Sequence, residues 1–157
     1  MRCVAAADGQ DGPLRHHALV GDLYPAHAGA TARAYFAFID RGERRTLLWG
    51  RPLARFTDQT EVDVMALEKG FTETELHGYA TSDGEYDANT RALAVPVMIG
   101  RRAVGSLTLG ESMVDHPEST LLGSLPRLQA ASTELSELLT ASTSAVARRR
   151  RSRKDPS

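Results

Sequence analysis

RALAVPVMIGRRAVGSLTLG, residues 91–110, holds two apolar runs on either side of a short polar turn. The first, RALAVPVMI (91–99), is short enough to be a buried strand rather than a buried helix. Gly100-Arg101-Arg102 forms a compact turn, and AVGSLTLG (103–110) returns as its antiparallel partner. Pro96 has no N–H to give a ladder, so it predicts an edge position or a bulge at that point of the first strand. Elsewhere in the chain the apolar residues repeat with a helical period. An antiparallel hairpin among helices makes the chain α+β, a sheet with helices laid against it.

Upstream, LYPAHAGATARAYFAFI (23–39) opens as a loop and continues as a helix. Ala28, Ala32, Tyr35, Phe36 and Ile39 form its apolar stripe. Its start, Ala-Gly-Ala-Thr, is the least bulky part. Small side chains there leave room for a neighbouring strand or for a small anion at the free N–H groups. A second short helix is expected over 41–49, stopped near Gly50 and Pro52. RFTDQT (55–60) reads as a loop whose Thr60 caps the next helix, with Asp63 in a capping-box arrangement. Val64, Leu67 and Phe71 face the core of that helix. Gly78 is placed to end it, and Gly70 inside it weakens it.

YATSDGEYDANT (79–90) is polar and turn-prone. Residues 117–147 form a last helix, with Leu121, Leu125, Leu128, Leu135, Leu138 and Leu139 on its apolar side; Pro126 either kinks it or marks its start. At the other end, RCVAAAD (2–8) could pair with LRHHALV (14–20) across the turn-rich GQDGP. His16 and His17 would then point to opposite faces, which does not suit a shared metal. No internal repeat is present.

The 157 residues suit one domain, residues 1–147, followed by a basic tail over 148–157. In that tail RRRRSRK supplies six basic side chains in seven positions; less Asp155 it carries +5, which leaves −6 on residues 1–147. The tail reads as a disordered solubilising end, and any affinity for phosphates would come from it rather than from the acidic body. Nothing has the apolar length of a membrane span, and Cys3, the one cysteine, excludes an internal disulfide framework and a multi-cysteine zinc site. A reducing, cytoplasmic setting follows.

Enzyme signatures are missing: there is no GxxxxGK[ST], no GxGxxG after a strand, no GxSxG and no HExxH. Cys3 lacks an adjacent base and reads as a structural thiol. His27, Asp83 and Glu85 could meet at a metal only by converging from separate segments, which their spacing does not support. Polar groups do gather at Thr81, Ser82, Asp83, Glu85, Tyr86, Asp87 and Asn89. This is either a solvated loop or a ligand-facing one. Arg91, at the mouth of the strand, could meet a ligand carboxylate bidentately or pair with Asp83 or Glu85.

The order of these segments resembles the effector-binding domain of the isocitrate lyase regulator (IclR) family of transcription factors. VGDLYPAHAGATARAYFAF (20–38), PLARFTDQT (52–60), HGYATSDGEYDANTRALAVPV (77–97) and RRAVGSLTLG (101–110) carry the likeness. It implies a GAF-like domain, not an enzyme and without cofactor or metal. Such a domain binds a small organic acid and passes occupancy through dimer or tetramer contacts to an N-terminal winged helix-turn-helix. That DNA-reading unit is not in these residues, and Met1 falls inside the effector domain, whose first strand is incomplete.

Carried over by position, the implied effector-binding residues are Ala30 and Thr31 at the helix start and Ser82 and Asp83 in the acidic loop. Ala92 on the first hairpin strand and Thr108 and Gly110 on the returning strand complete the set. Thr108 and Gly110 stand where family members often carry two serines, Ala92 where a cysteine is common, and TSDGEYD holds fewer carboxylates than usual. A more apolar pocket is expected. Two rivals remain: a small thiol-dependent enzyme on a GAF-like scaffold, which would need more than Cys3, and a ligand-free dimerisation module that sequesters full-length regulators.

Overall fold

The computed structural model describes residues 1–9, 20–118 and 121–152. The element order is α1 (Ala30–Phe36), α2 (Arg41–Leu48), α3 (Val64–His77), β1 (Ala80–Asp83), β2 (Thr90–Ile99), β3 (Arg102–Ser112) and α4 (Leu125–Ser152). The three strands form an antiparallel sheet in the order β1-β2-β3, the expected α+β architecture.

The sheet separates two packed layers because strand side chains alternate between faces. On one face, Ala80 and Ala94 close against Ala30 and Ala34 of α1. On the other, Leu93 and Val95 meet Leu121 and Leu128, with Leu107 and Leu125 at the margin. The opposite side of α1 supplies Ala32 and Phe36 to a third cluster with Ile39, Leu48, Leu67 and Phe71. Helix α1 is thus covered on both sides. That is why it is almost wholly alanine toward the sheet, where the backbones come close.

The hairpin is as read from its pattern, turning at Gly100 with φ +61. Both readings of Pro96 apply in part. A register irregularity lies between Val97 and Met98, one residue beyond it. Strand β1 pairs only with Arg91–Ala94, so on that flank β2 runs past the end of its neighbour. There the Pro96 carbonyl accepts from Ser132 Oγ at 2.6 Å and the Met98 N–H donates to Ser136 Oγ at 2.9 Å. A residue's N and C=O point the same way in a strand, so the missing N–H of Pro96 faces α4 and not the ladder.

Several boundaries differ from expectation. The 2–8 strand shrinks to a bridge between Arg2 and Leu23, with Cys3 N–H donating to the Asp22 carbonyl and Tyr24 N–H to that of Met1. Its expected partner, 14–20, lies outside the described residues except for Val20. Thr81–Asp83, read as loop, belongs to β1, where pairing with β2 overrides the polar composition. Pro126 marks the start of α4, preceded by a 3-10 turn over Leu121–Ser124. Leu135 and Leu138 are 38% and 60% exposed, so the apolar side of α4 stays buried only near its beginning. The helix continues through Ser152, past the boundary expected at 147; 153–157 lie outside the described residues.

The cap of α3 is Asp63, not Thr60. Asp63 Oδ1 accepts from Met65 N–H at 2.7 Å and Ala66 N–H at 3.2 Å, while the Thr60 hydroxyl accepts from the Phe56 and Thr57 N–H groups and donates to the Glu85 carbonyl. Asp63→Ala is therefore expected to cost about 1 kcal/mol in urea unfolding; a neutral result would return the cap to Thr60. At the other end Gly78 takes φ +77, the left-handed conformation that closes the helix. No helix among the described residues is long and apolar enough to cross a membrane.

Candidate functional site

Close approach of α1 to the sheet creates a seam lined with short polar side chains. The Ala30 N–H donates to Ser82 Oγ at 2.9 Å, with Ala30 fully buried. Thr31 Oγ1 and Thr108 Oγ1 share a hydrogen bond at 3.0 Å, and Ser106 Oγ donates to the Thr31 carbonyl at 2.9 Å. Ala92 packs beside Ala30 and Ala94, and Gly110 is its register partner on β3. Six of the seven residues expected at the effector site thus fall along one seam: Ala30, Thr31, Ser82, Ala92, Thr108 and Gly110. Their polar atoms satisfy one another, and the alanines fill the space between helix and sheet.

Asp83 does not join them. One residue beyond Ser82 in a strand, it points to the other face. Its side chain is 59% exposed and accepts from Arg91 Nε at 2.8 Å; Arg91 Nη1 also reaches Glu111 at 3.5 Å. The Asp83 hydrogen bond, reinforced by Glu111, holds the Arg91 proton more tightly than usual. Of the readings open for Arg91, the structure takes the ion pair with Asp83.

Glu85 plays the larger part, in neither of the specific roles weighed for it from the sequence, metal ligand or partner of Arg91. Its carboxylate accepts from the Gly29 N–H at 3.0 Å and from Arg33 Nη2 at 2.7 and 2.8 Å, with only 12% of the side chain exposed. Arg33 Nη1 donates in addition to the Thr81 carbonyl at 2.8 Å. The backbone of the acidic loop is gripped from the other side. Thr57 Oγ1 donates to the Gly84 carbonyl at 2.6 Å and Thr60 Oγ1 to the Glu85 carbonyl at 2.7 Å. Gly84 sits at φ +67, and a Cβ there would lie 3.3 Å from the Ala88 carbonyl oxygen. These contacts join segments up to 56 residues apart. No local spacing announces them; the sequence signals were that 55–60 and 79–90 are both turn-like and that polar groups gather in the second.

Around this clasp stands an aromatic group. Tyr86 lies 5.5 Å from Tyr24 and 5.1 Å from Phe56, ring centre to ring centre, and Phe56 lies 5.7 Å from His27. Burial, with smaller contributions from Cys3, Asp22 and Tyr86, pushes the Tyr24 hydroxyl above its ordinary range. His27 Nε2 donates to the Ala54 carbonyl at 2.7 Å. The possible metal set is thereby dispersed: His27 is on Ala54, Asp83 on Arg91 and Glu85 on Arg33. Among the described residues no group of three or more His, Cys, Asp or Glu is placed to hold a metal ion.

Residues 3–137 match the profile of a known family, described as bacterial transcriptional regulator IclR C-terminal. The HTH-type transcriptional regulator XynR of Escherichia coli strain K12 is 29% identical over 121 residues, 76% of this chain and 48% of XynR. The chain spans about half the length of the curated relatives it matches. Among solved structures, an IclR transcriptional regulator from Alicyclobacillus acidocaldarius superposes with a TM-score of 0.76 at 21% identity, over 85% of this chain and 54% of that one. An IclR homologue from Microbacterium hydrocarbonoxydans, solved in complex with 4-hydroxybenzoate, gives 0.71 at 21% identity, over 82% and 51%.

Proposed function

This chain belongs to the IclR family of bacterial transcriptional regulators, as its C-terminal, effector-binding domain, and we propose that it senses a small organic acid at the seam between α1 and the sheet. The convergence of the Thr31, Ser82 and Thr108 hydroxyls on the first turn of α1 carries this reading. Hydroxyls that bond one another can exchange those bonds for bonds to a ligand without leaving a buried group unsatisfied. The small side chains on both walls set how much must move to admit it. The 4-hydroxybenzoate complex of the Microbacterium homologue supports an aromatic carboxylate as the chemical class.

In this proposal Ala30, Thr31, Ser82, Ala92, Thr108 and Gly110 receive the acid, and Asp83 acts only through Arg91. The domain forms dimers or tetramers and works without catalysis; its named relatives are regulators. DNA is read by a separate winged helix-turn-helix. Occupancy becomes regulation when the acid binds one orientation of the assembly more tightly than another.

The test is thermal unfolding against a panel of aliphatic and aromatic carboxylates that includes 3- and 4-hydroxybenzoate. A ligand at 100 times its Kd adds about 2.7 kcal/mol to the folded state, and Thr108→Val is expected to reduce that gain. If no acid raises Tm, the sensing proposal is overturned and the dimerisation module takes its place.

A further inference from the structure

The Arg33–Glu85 pair lies at the wall of a groove of about 310 Å³ between α3 and the turn at Gln59–Glu61, also lined by Lys69, Gly70 and Glu73. At Gly70 the helix passes close beside the arginine: a Cβ there would be in ordinary van der Waals contact with Arg33, 3.5 Å from Nε. Arg33 fixes its fork with one donor on the Thr81 carbonyl and turns Nη2 to a carboxylate, while the Gly29 N–H meets the same carboxylate from the loop before α1. A guanidinium held by a backbone carbonyl and assisted by an amide is a made receptor for a carboxylate.

We propose that Arg33 and the Gly29 N–H form a carboxylate-binding site reached through this groove, and that Glu85 is its internal occupant. A small carboxylate from solution competes with Glu85 for the seat. When it takes the seat, Glu85 loses its three hydrogen bonds, and the loop 84–89 keeps Thr57 and Thr60 on its backbone and the packing of Tyr86 on Tyr24 and Phe56. Because Ser82, two residues before this loop, bonds the Ala30 N–H, displacing Glu85 loosens one wall of the α1 seam. The site is separate from that seam, and the inference does not need the acid-sensing proposal to hold.

A tethered carboxylate competes strongly, so the wild-type seat binds free carboxylate weakly and deletion of the tether strengthens binding. The experiment compares the whole chain with Glu85→Ala and Glu85→Gln, titrating acetate against chloride at matched ionic strength. Thermal unfolding and the Gly29 amide resonance are the readouts. Glu85→Ala is expected to lose Tm and to regain part of it in acetate but not in chloride. Its acetate affinity should exceed that of wild type by about tenfold or more, because the competent form is no longer blocked. Arg33→Met added to Glu85→Ala should abolish the recovery.

Glu85→Gln, which keeps the shape and gives up the charge, covers the case in which the alanine variant fails to fold. It should show the same acetate-dependent movement of the Gly29 resonance. Equal responses to acetate and chloride in both variants, or equal acetate affinity with and without Glu85, would sink the proposal. Either result leaves the acid panel to judge the α1 seam on its own.

Discussion

Arg44→Ala is expected to lower the unfolding free energy by about 3–5 kcal/mol, the range for removing one partner of a buried ion pair. Arg44 lies on α2 with no exposed surface, in the middle of the cluster built by Phe36, Leu48, Leu67 and Phe71. Its guanidinium bonds both Glu68 oxygens, at 3.2 and 2.7 Å, and approaches Glu75 at 3.5 Å. Nη1 donates to the Phe36 and Ala37 carbonyls at the end of α1, at 2.9 and 3.3 Å, and the group stands 4.7 Å from the centre of the Phe71 ring. Truncation removes these partners together and leaves a void beside Phe71. Glu68 and Glu75 keep 23% and 32% of their side chains in solvent, which softens their loss and favours the lower part of the range.

Two companion variants separate charge from geometry. Arg44→Lys keeps the charge, but a single ammonium cannot reach the glutamates and the helix-end carbonyls at once, so it should recover only part of the loss. Arg44→Met with Glu68→Leu removes both charges and fills the space, and should be more stable than Arg44→Ala. Urea denaturation reads all three. A loss below about 1 kcal/mol for Arg44→Ala would mean that Arg44 is a replaceable space-filler.

Leu93→Ala is the second large effect, expected at about 2–5 kcal/mol. Leu93 is fully buried on the central strand, on the sheet face that carries α4, against Leu121 and Leu128. Residues from three separate elements meet there, so the void cannot collapse without moving α4 or the 3-10 turn before it. The cluster shares no member with the one around Arg44. The Arg44→Ala and Leu93→Ala losses should therefore add to within about 0.5 kcal/mol in the double variant. A large departure from additivity would show that the layers on the two sides of the sheet unfold with strong mutual dependence.

How far the fold was legible follows from where each element draws its stability. The hairpin was readable because its apolar runs, its glycine turn and its proline all refer to near neighbours. The end of α3 was readable because Gly78 adopts a conformation that costs other residues more. β1 was not, since ATSD carries no strand signal and becomes a strand only through pairing with Arg91–Ala94. The cap of α3 was not legible either, because Thr60 and Asp63 are both good caps by type and a loop contact with Glu85 decides between them. Arg44, an arginine in a polar-looking helix, gave no sign of being the most enclosed charge in the described residues.

The candidate site divides in the same way. The small residues at the start of α1 were readable directly, and the resemblance carried by residue types and their order implied that they would meet hydroxyl-bearing residues of the acidic loop and of one hairpin. Only the tertiary structure decided that Asp83 turns away from its neighbour Ser82, and that Glu85 reaches back across 56 positions to the Gly29 N–H. Counting along a chain fixes directions within an element. Which element ends lie within 3 Å of one another depends on how the layers stack, and that is set by the volumes packed between them.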